Sequence, residues 1–317
     1  MQADVLNRKQ AVLLLAHGTP ETVGQIPEYL SNVTGGRPIP QEVIEEIQRR
    51  YALIGHSPLT EITQAQGRLV EAELAASNQP VPVYVAMRNW QPYIAGVVRQ
   101  MRADGVESAA VVCLAPQNSR TSVGLYRRAV EAEAGNLRID FIEAWAQHPL
   151  LIEAFAERLR PAWTSLSAET SAPVPVLFTA HSVPCRTIQS SESQPADPYA
   201  VEAKRTAALV AASVPGILQW YFAFQSQGAS GGTWIGPTVE ATLEAIAAAG
   251  VKTLLLQPIG FLCDHVEILY DVDILFRNFA ARLGLRLERP ESLNDSATLA
   301  KAIADLARQG LARLGDV

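Results

Sequence analysis

Two stretches of this 317-residue chain repeat one pattern. The apolar run Ala11 to Leu15 leads into Ala16-His17-Gly18-Thr19-Pro20, and the run Val174 to Phe178 leads into Ala180-His181-Ser182-Val183-Pro184. Each reads as a buried strand that ends in an imidazole and a tight turn. The two histidines stand 164 residues apart, about half the chain. The pattern predicts two similar α/β halves, each offering a histidine at the carboxyl end of its first strand. Ligands bind at that edge in open α/β sheets.

The rest of the chain supports duplication. Predicted strands are Ala11–Ala16, Val81–Met87, Ala109–Leu114 and Leu137–Ile142, then Val174–Ala180, Gln219–Phe224, Thr253–Gln257 and Leu285–Glu288. Continuous apolar strands without alternation indicate a parallel sheet covered on both faces. Pro92 to Gly105 and Pro237 to Gly250 each read as an amphipathic helix that opens with proline and closes with glycine. Both precede a strand that ends in proline, at Pro116 and Pro258. The segment from Pro161 to Pro175, rich in Ser, Thr, Ala and Pro, reads as a loop, as does Cys185 to Pro198 after His181.

Composition narrows the function classes. With 48% hydrophobic residues the chain reads as a packed globular protein. A formal net charge of −6 and no basic cluster argue against nucleic-acid binding. No uncharged apolar run reaches membrane length, so a soluble, cytoplasmic protein without an integral membrane segment is expected. The cysteines, 113, 185 and 263, form no CxxC pair. A zinc site or an iron–sulfur cluster is therefore not expected.

Three constellations carry potential chemistry. The richest runs from Gly260 to Asp273 (GFLCDHVEILYDVD). On a helix there, Glu267 and Asp271 stand at i and i+4 and share a face, while His265 and Asp273 fall elsewhere on the surface. His181 is favoured by its strand-end position and its partner His17. The third is Phe224-Gln225-Ser226-Gln227-Gly228 with Trp234 to Pro237. Gly228 to Gly232 does not match GxGxxG, so a dinucleotide fold is poorly supported. Serine, glutamine and an indole near a helix start suit a flat ligand with polar edges.

These stretches, with LLLAHGTPETVGQIPEYL, RRYALIGHSPLTEITQAQ, VCLAPQNSRTSVGLYRRA and VLFTAHSVP with ADPY, resemble the ferrochelatase family in its own order along nearly the whole chain. The resemblance implies two similar Rossmann-like domains with four-stranded parallel sheets and a porphyrin cleft between them. The expected division is residues 1–146 plus 296–317, with the C-terminal helix Ala297 to Leu314 returning to the first half, and residues 147–295. The implied activity is a lyase reaction of haem biosynthesis: insertion of Fe²⁺ into a metal-free porphyrin. His181 and Glu267 are the implied catalytic pair, and His181, Glu267 and Asp271 the implied metal contacts. His17, Arg50 (with Tyr51), Ser57, Tyr126, Ser226 and Trp234 match porphyrin-binding positions. Fe²⁺ and porphyrin are substrates, and no tightly bound cofactor is expected. Transient contact with neighbouring haem-pathway enzymes is a further expectation.

The chemistry is coherent. Fe²⁺ enters a free-base porphyrin only as two N–H protons leave, and a neutral imidazole accepts protons near pH 7. Imidazole and carboxylate also ligate Fe²⁺, and mixed ligation of that kind can release the ion to the macrocycle. The chain departs from the family pattern at His17, where many members carry Tyr, Asn or Met; an imidazole there could ligate iron on the opposite face of the ring. Leu30 and Thr34 replace a tyrosine and an arginine that some members place near the porphyrin. Leu275 stands where some members have a third acid, and Ala196 replaces a glycine before Asp-Pro-Tyr. The short chain without an apolar membrane lip favours coproporphyrin III over protoporphyrin IX. Two alternatives stand beside this reading: a non-catalytic tetrapyrrole carrier, and a cobalt or nickel chelatase of a related tetrapyrrole.

Overall fold

A computed structural model of the chain describes residues 9–77, 80–190, 195–227 and 232–315. All eight predicted strands are present: β1 (Gln10–Ala16), β2 (Val83–Met87), β3 (Ser108–Cys113), β4 (Arg138–Ile142), β5 (Val176–His181), β6 (Trp220–Gln225), β7 (Thr253–Pro258) and β8 (Arg286–Glu288). They form two four-stranded parallel sheets with the same order, β2-β1-β3-β4 and β6-β5-β7-β8.

The repeat extends to individual hydrogen bonds. In the first half the Met87 amide donates to the Pro92 carbonyl at 2.7 Å; in the second the Phe224 amide donates to the Pro237 carbonyl at 2.8 Å. Each proline leads into a helix packed on the sheet, α4 (Ile94–Ala103) and α9 (Val239–Ala248).

The remaining helices are α1 (Ile26–Thr34), α2 (Gln41–Ile54), α3 (Leu59–Ala76), α5 (Val123–Ala134), α6 (Pro149–Thr170), the short α7 (Cys185–Ile188), α8 (Tyr199–Ala212), α10 (Arg277–Arg282) and α11 (Ala297–Gly315). A π-helix spans Glu267–Phe276 and runs directly into α10.

One interior runs through both halves. A single cluster of buried side chains includes Val12 and Val112 of the first sheet, Phe155 of α6, Phe178 and Leu255 of the second sheet, and Ile303 of α11. Two outer layers complete the fold, one under α4 and α5 and one under α9, the π-helix and α10. Helix α11 packs on α3, α6, β3 and β4, and its buried face includes Leu299, Ile303, Leu306 and Leu311.

The loop expected at 161–175 is in large part helix. Helix α6 continues to Thr170 with Pro161 inside it. Proline costs a helix one hydrogen bond and a clash, but Leu159 and Leu166 on either side of it are buried. Trp163 Nε1 donates to the Val174 carbonyl at 2.9 Å. Tertiary burial overrides local propensity here. The turn begins only at Ser171, whose φ of 53° ends the helix. Residues 185–188 of the second expected loop form α7, while 191–194 lie outside the described residues, as do 228–231 of the glycine stretch.

Candidate active site

The strand ends build the site. At the end of β1 the chain turns at Gly18, with φ +77°, where a Cβ would sit 2.7 Å from Met87 Cβ. That close approach puts His17 beside the end of β2, and the ladder continues there: the Arg88 amide donates to the Ala16 carbonyl at 3.0 Å and the Asn89 amide to the His17 carbonyl at 2.9 Å. In the second half, Gly260 passes Ala180 so closely that a Cβ would lie 3.1 Å from its Cα. Glycine lets the segment after β7 cross the end of β5 this closely without displacing Ala180. That crossing brings the residues leading into the π-helix to His181.

Between these strand ends lies a cavity of about 360 Å³. His17, Tyr29, Arg88 and Tyr126 line it from the first half; His181, Trp234, Phe261, His265 and Glu267 line it from the second.

Glu267 is held between two imidazoles. His181 Nε2 is 3.4 Å from Glu267 Oε1, and His265 Nε2 is 3.7 Å from Oε2. In each histidine the other ring nitrogen meets a backbone carbonyl. His181 Nδ1 contacts the Ser182 carbonyl, and His265 Nδ1 lies 3.1 Å from the Cys263 carbonyl. A proton on Nδ1 suits both contacts and leaves Nε2 for the carboxylate. Burial alone would lower the pKa of His181, but the facing Glu267 outweighs it and raises that pKa above its ordinary value. Burial likewise opposes ionisation of Glu267, yet the two imidazoles hold its carboxyl well below the usual range. The Tyr199 hydroxyl donates to the His181 carbonyl at 2.8 Å, fixing the strand end. Phe261 stands edge-on to His181 and packs on His265, with ring centroids 6.2 and 4.6 Å apart.

His17 opens onto the cavity in a different state. Its Nε2 lies 2.9 Å from the Tyr29 hydroxyl and 3.2 Å from Asn89 Nδ2. Enclosure by the surrounding protein is the main cause lowering its pKa to about 4; Glu267 opposes this and Arg88 reinforces it. The imidazole is neutral at pH 7.

The other expected site residues separate into wall and support. Tyr126 and Trp234 line the cavity. Ser57 does not; it is buried and bonds Thr19, Oγ to Oγ1 at 2.8 Å, beneath the turn after His17. The GTP and SPLT motifs thus brace one another, and it is Thr19 that reaches the cavity. Arg50 and Ser226 meet at Asp271 instead: Ser226 Oγ donates to Asp271 Oδ2, and Arg50 Nη1 lies 3.6 Å from Oδ1. Burial raises the Asp271 pKa to about 6, aided by Glu267 and opposed by Ser226 and Arg50. Of the three expected metal contacts, His181 and Glu267 stand together on the cavity wall, while Asp271 meets Ser226 and Arg50. Among the described residues no three His, Cys, Asp or Glu side chains form a metal cage.

His265 was expected on another part of the surface and instead joins the site. Asp273, expected with it, pairs with Arg289 at 2.7 Å, and Asp264 takes the same guanidinium at 3.2 Å. Tyr29, one residue before Leu30, lines the cavity. Arg88, Asn89 and Tyr199 were not singled out from the sequence; the strand-end rule, applied to β2 as well as β1, points to the first two. The motifs ADPY and APQNSR also join across the halves, since the Arg120 amide donates to Asp197 Oδ2 at 2.7 Å.

Two parallel sheets of equal order, a shared cleft and histidines at corresponding strand ends define a chelatase-type α/β protein. The fold agrees with the sirohydrochlorin chelatase SirB from Bacillus subtilis subspecies spizizenii in complex with cobalt, at TM-score 0.53 and 12% identity over 95% of each chain. The Ferrochelatase family model matches residues 9–311, and the chain belongs to that family. It is 59% identical to a ferrochelatase of Acidobacterium capsulatum over 98% of this chain and 97% of that one. It is 35% identical to a coproporphyrin III ferrochelatase of Mycolicibacterium vanbaalenii, over 94% and 88%.

Proposed function

We propose that this chain catalyses the insertion of Fe²⁺ into a metal-free porphyrin, with coproporphyrin III favoured over protoporphyrin IX. The observation that carries this reading is the His181–Glu267 pair, 3.4 Å apart on the cavity wall. Two pyrrole N–H bonds break, all four ring nitrogens bind the iron, which stays Fe²⁺, and two protons leave. His181 Nε2 accepts a proton in its neutral form. Glu267 stabilises the imidazolium and passes the charge toward His265 on its other oxygen. A positioned base of this kind contributes about 10²–10⁴-fold.

His17 has a separate role. Its neutral imidazole is a poor proton acceptor at pH 7 but offers a lone pair to the metal from the first half. Asp271, with Arg50 and Ser226, assists proton or metal transfer from behind Glu267. The wall residues Tyr126 and Trp234 hold the macrocycle. No tightly bound cofactor or iron–sulfur cluster enters this reading.

Relatedness to a coproporphyrin III ferrochelatase supports the substrate preference. No helix among the described residues is long and apolar enough to cross a membrane, in keeping with a cytoplasmic enzyme that meets its pathway neighbours transiently. The packing of α11 on β3 and β4 supports the division into 1–146 plus 296–317 and 147–295.

Anaerobic mixing with Fe²⁺ and each porphyrin, followed by absorbance, tests the reading. Metalated spectra with faster turnover on coproporphyrin III are expected. Binding without metalation would favour the carrier, and preference for Co²⁺ or Ni²⁺ over Fe²⁺ would favour the alternative chelatase.

A further inference from the structure

Asp273 follows Asp264 by nine residues, yet both carboxylates rest on one guanidinium. Arg289, the residue after β8, meets Asp273 through Nε at 2.7 Å and Nη2 at 2.8 Å, and Asp264 through Nη2 at 3.2 Å. Its side chain is only 12% exposed. On a continuous α-helix two such positions would lie about two and a half turns apart, on opposite faces and about 13.5 Å distant along the axis. One guanidinium could not span that. It holds both on the path the chain takes here, irregular from Gly260 to His265 and π-helical from Glu267. The same path sets His265 and Glu267 side by side.

The near end of this arc is fixed from a further direction. Asp264 also accepts from Ser292 Oγ at 2.6 Å and from Asn294 Nδ2 at 3.0 Å, and its amide donates to Asn294 Oδ1 at 2.8 Å. Asn294 takes a left-handed φ of 44°, a conformation asparagine adopts more readily than most residues. Its amide donates to the Leu262 carbonyl at 3.0 Å, and its carbonyl accepts from Gln66 Nε2 of α3 at 2.7 Å. The loop between β8 and α11 thus grips both ends of the segment 264–273. Asp264, Asp273, Arg289, Ser292 and Asn294 stand outside the cavity wall, whereas His265 and Glu267, between the gripped ends, line it.

A forked guanidinium on two carboxylates fixes direction as well as charge. We propose that Arg289 is a positioning residue for metal insertion: by clamping Asp264 to Asp273 it folds the intervening segment so that the Glu267 carboxylate reaches His181. The inference rests on the proposed role of the His181–Glu267 pair. Arg289 touches no substrate and acts only through the segment it closes.

The test uses the full chain, read by metal insertion, porphyrin fluorescence and melting temperature. Arg289→Met keeps the stem and removes the fork. It should lower kcat about tenfold to a hundredfold, the cost of misplacing a reacting group by about 1 Å, and leave porphyrin affinity and KM within about twofold. Its melting temperature should fall, since two carboxylates lose their partner. Combining Arg289→Met with Asp264→Asn and Asp273→Asn removes those stranded charges. The melting temperature should then return toward wild type while kcat stays low. Arg289→Lys, a point charge without the fork, should fall between wild type and Arg289→Met. Recovery of kcat together with the melting temperature in the triple variant would overturn the proposal and leave a structural ion pair. So would a kcat within about twofold of wild type in Arg289→Met, or porphyrin affinity that falls as far as kcat. Wild-type protein that binds porphyrin but never metalates it would refute the proposed catalysis instead. The clamp is then read from a crystal structure of the triple variant: His181 Nε2 and Glu267 Oε1 should stand beyond about 4 Å, outside ion-pair reach, and a distance unchanged from 3.4 Å would overturn it.

Discussion

His181 and His265 present the same ring nitrogen to opposite oxygens of Glu267, each with its Nδ1 committed to a backbone carbonyl. The carboxylate is thus a junction between two imidazoles from different segments, one at a strand end and one in the turn before the π-helix. Both imidazoles, like the carboxylate between them, line the cavity.

Removing the proposed base separates chemistry from binding. His181→Ala should lower iron insertion by at least about a hundredfold while metal-free porphyrin still quenches protein fluorescence with unchanged affinity. Turnover equal to wild type in that variant would end the assignment.

The pH profile should report the pair. Glu267 raises the pKa of His181, so the neutral base appears only above the ordinary value of 6.5, and kcat/KM should fall as pH drops through that raised pKa. In Glu267→Gln the acid limb should move to lower pH, with a reduced plateau. Stability follows the same signs. The His181 contribution is full below 6.5 and is lost as pH rises through its folded pKa. The Glu267 contribution is full above 4.5 and is lost as pH falls through its depressed folded pKa. The melting-temperature gap between wild type and Glu267→Gln should therefore be widest between those limits. A gap that is flat with pH would contradict the coupling.

Asp271 works in the opposite sense. Its pKa is raised to about 6 from 3.8, so folding pays a penalty that grows as pH rises between those values and then stays constant. Asp271→Asn should stabilise the protein by up to about 3 kcal/mol at pH 8 and leave it unchanged at pH 3.5. Chemical denaturation at the two pH values distinguishes this from a neutral substitution.

Helix α11 should be indispensable to the first half. Ile303 is fully buried against both sheets' shared interior, and Ile303→Ala should cost about 2–5 kcal/mol in urea unfolding. A loss below about 1 kcal/mol would show that the helix is only loosely applied.

Much of this was legible in the sequence. Apolar runs without alternation located the inner strands β1, β3, β5 and β7, because strands buried on both faces have no solvent side to mark, whereas the edge strands β4 and β8 carry charged, partly exposed residues. The duplicated strand-histidine pattern identified which ends face the cleft. His265 was not legible: on a regular helix, residues two apart point to opposite sides, which would set it against Glu267's face. The segment Gly260 to Val266 is not helical up to His265, so the two side chains converge. The π-helix was not legible either, since i→i+5 helices are rare and a regular α-helix is the expectation for such a pattern. The layer Ser57 occupies was not legible for a related reason: a motif gives proximity to the cleft but not that the side chain lies behind the wall, bonded to Thr19.

The continuous interior described for the two halves has a mechanical consequence. Phe155, Phe178 and Ile303 belong to one cluster, so swinging the halves apart like a clamshell would tear that cluster open to water. The groove is accordingly formed once, with the fold, because its two walls share that interior.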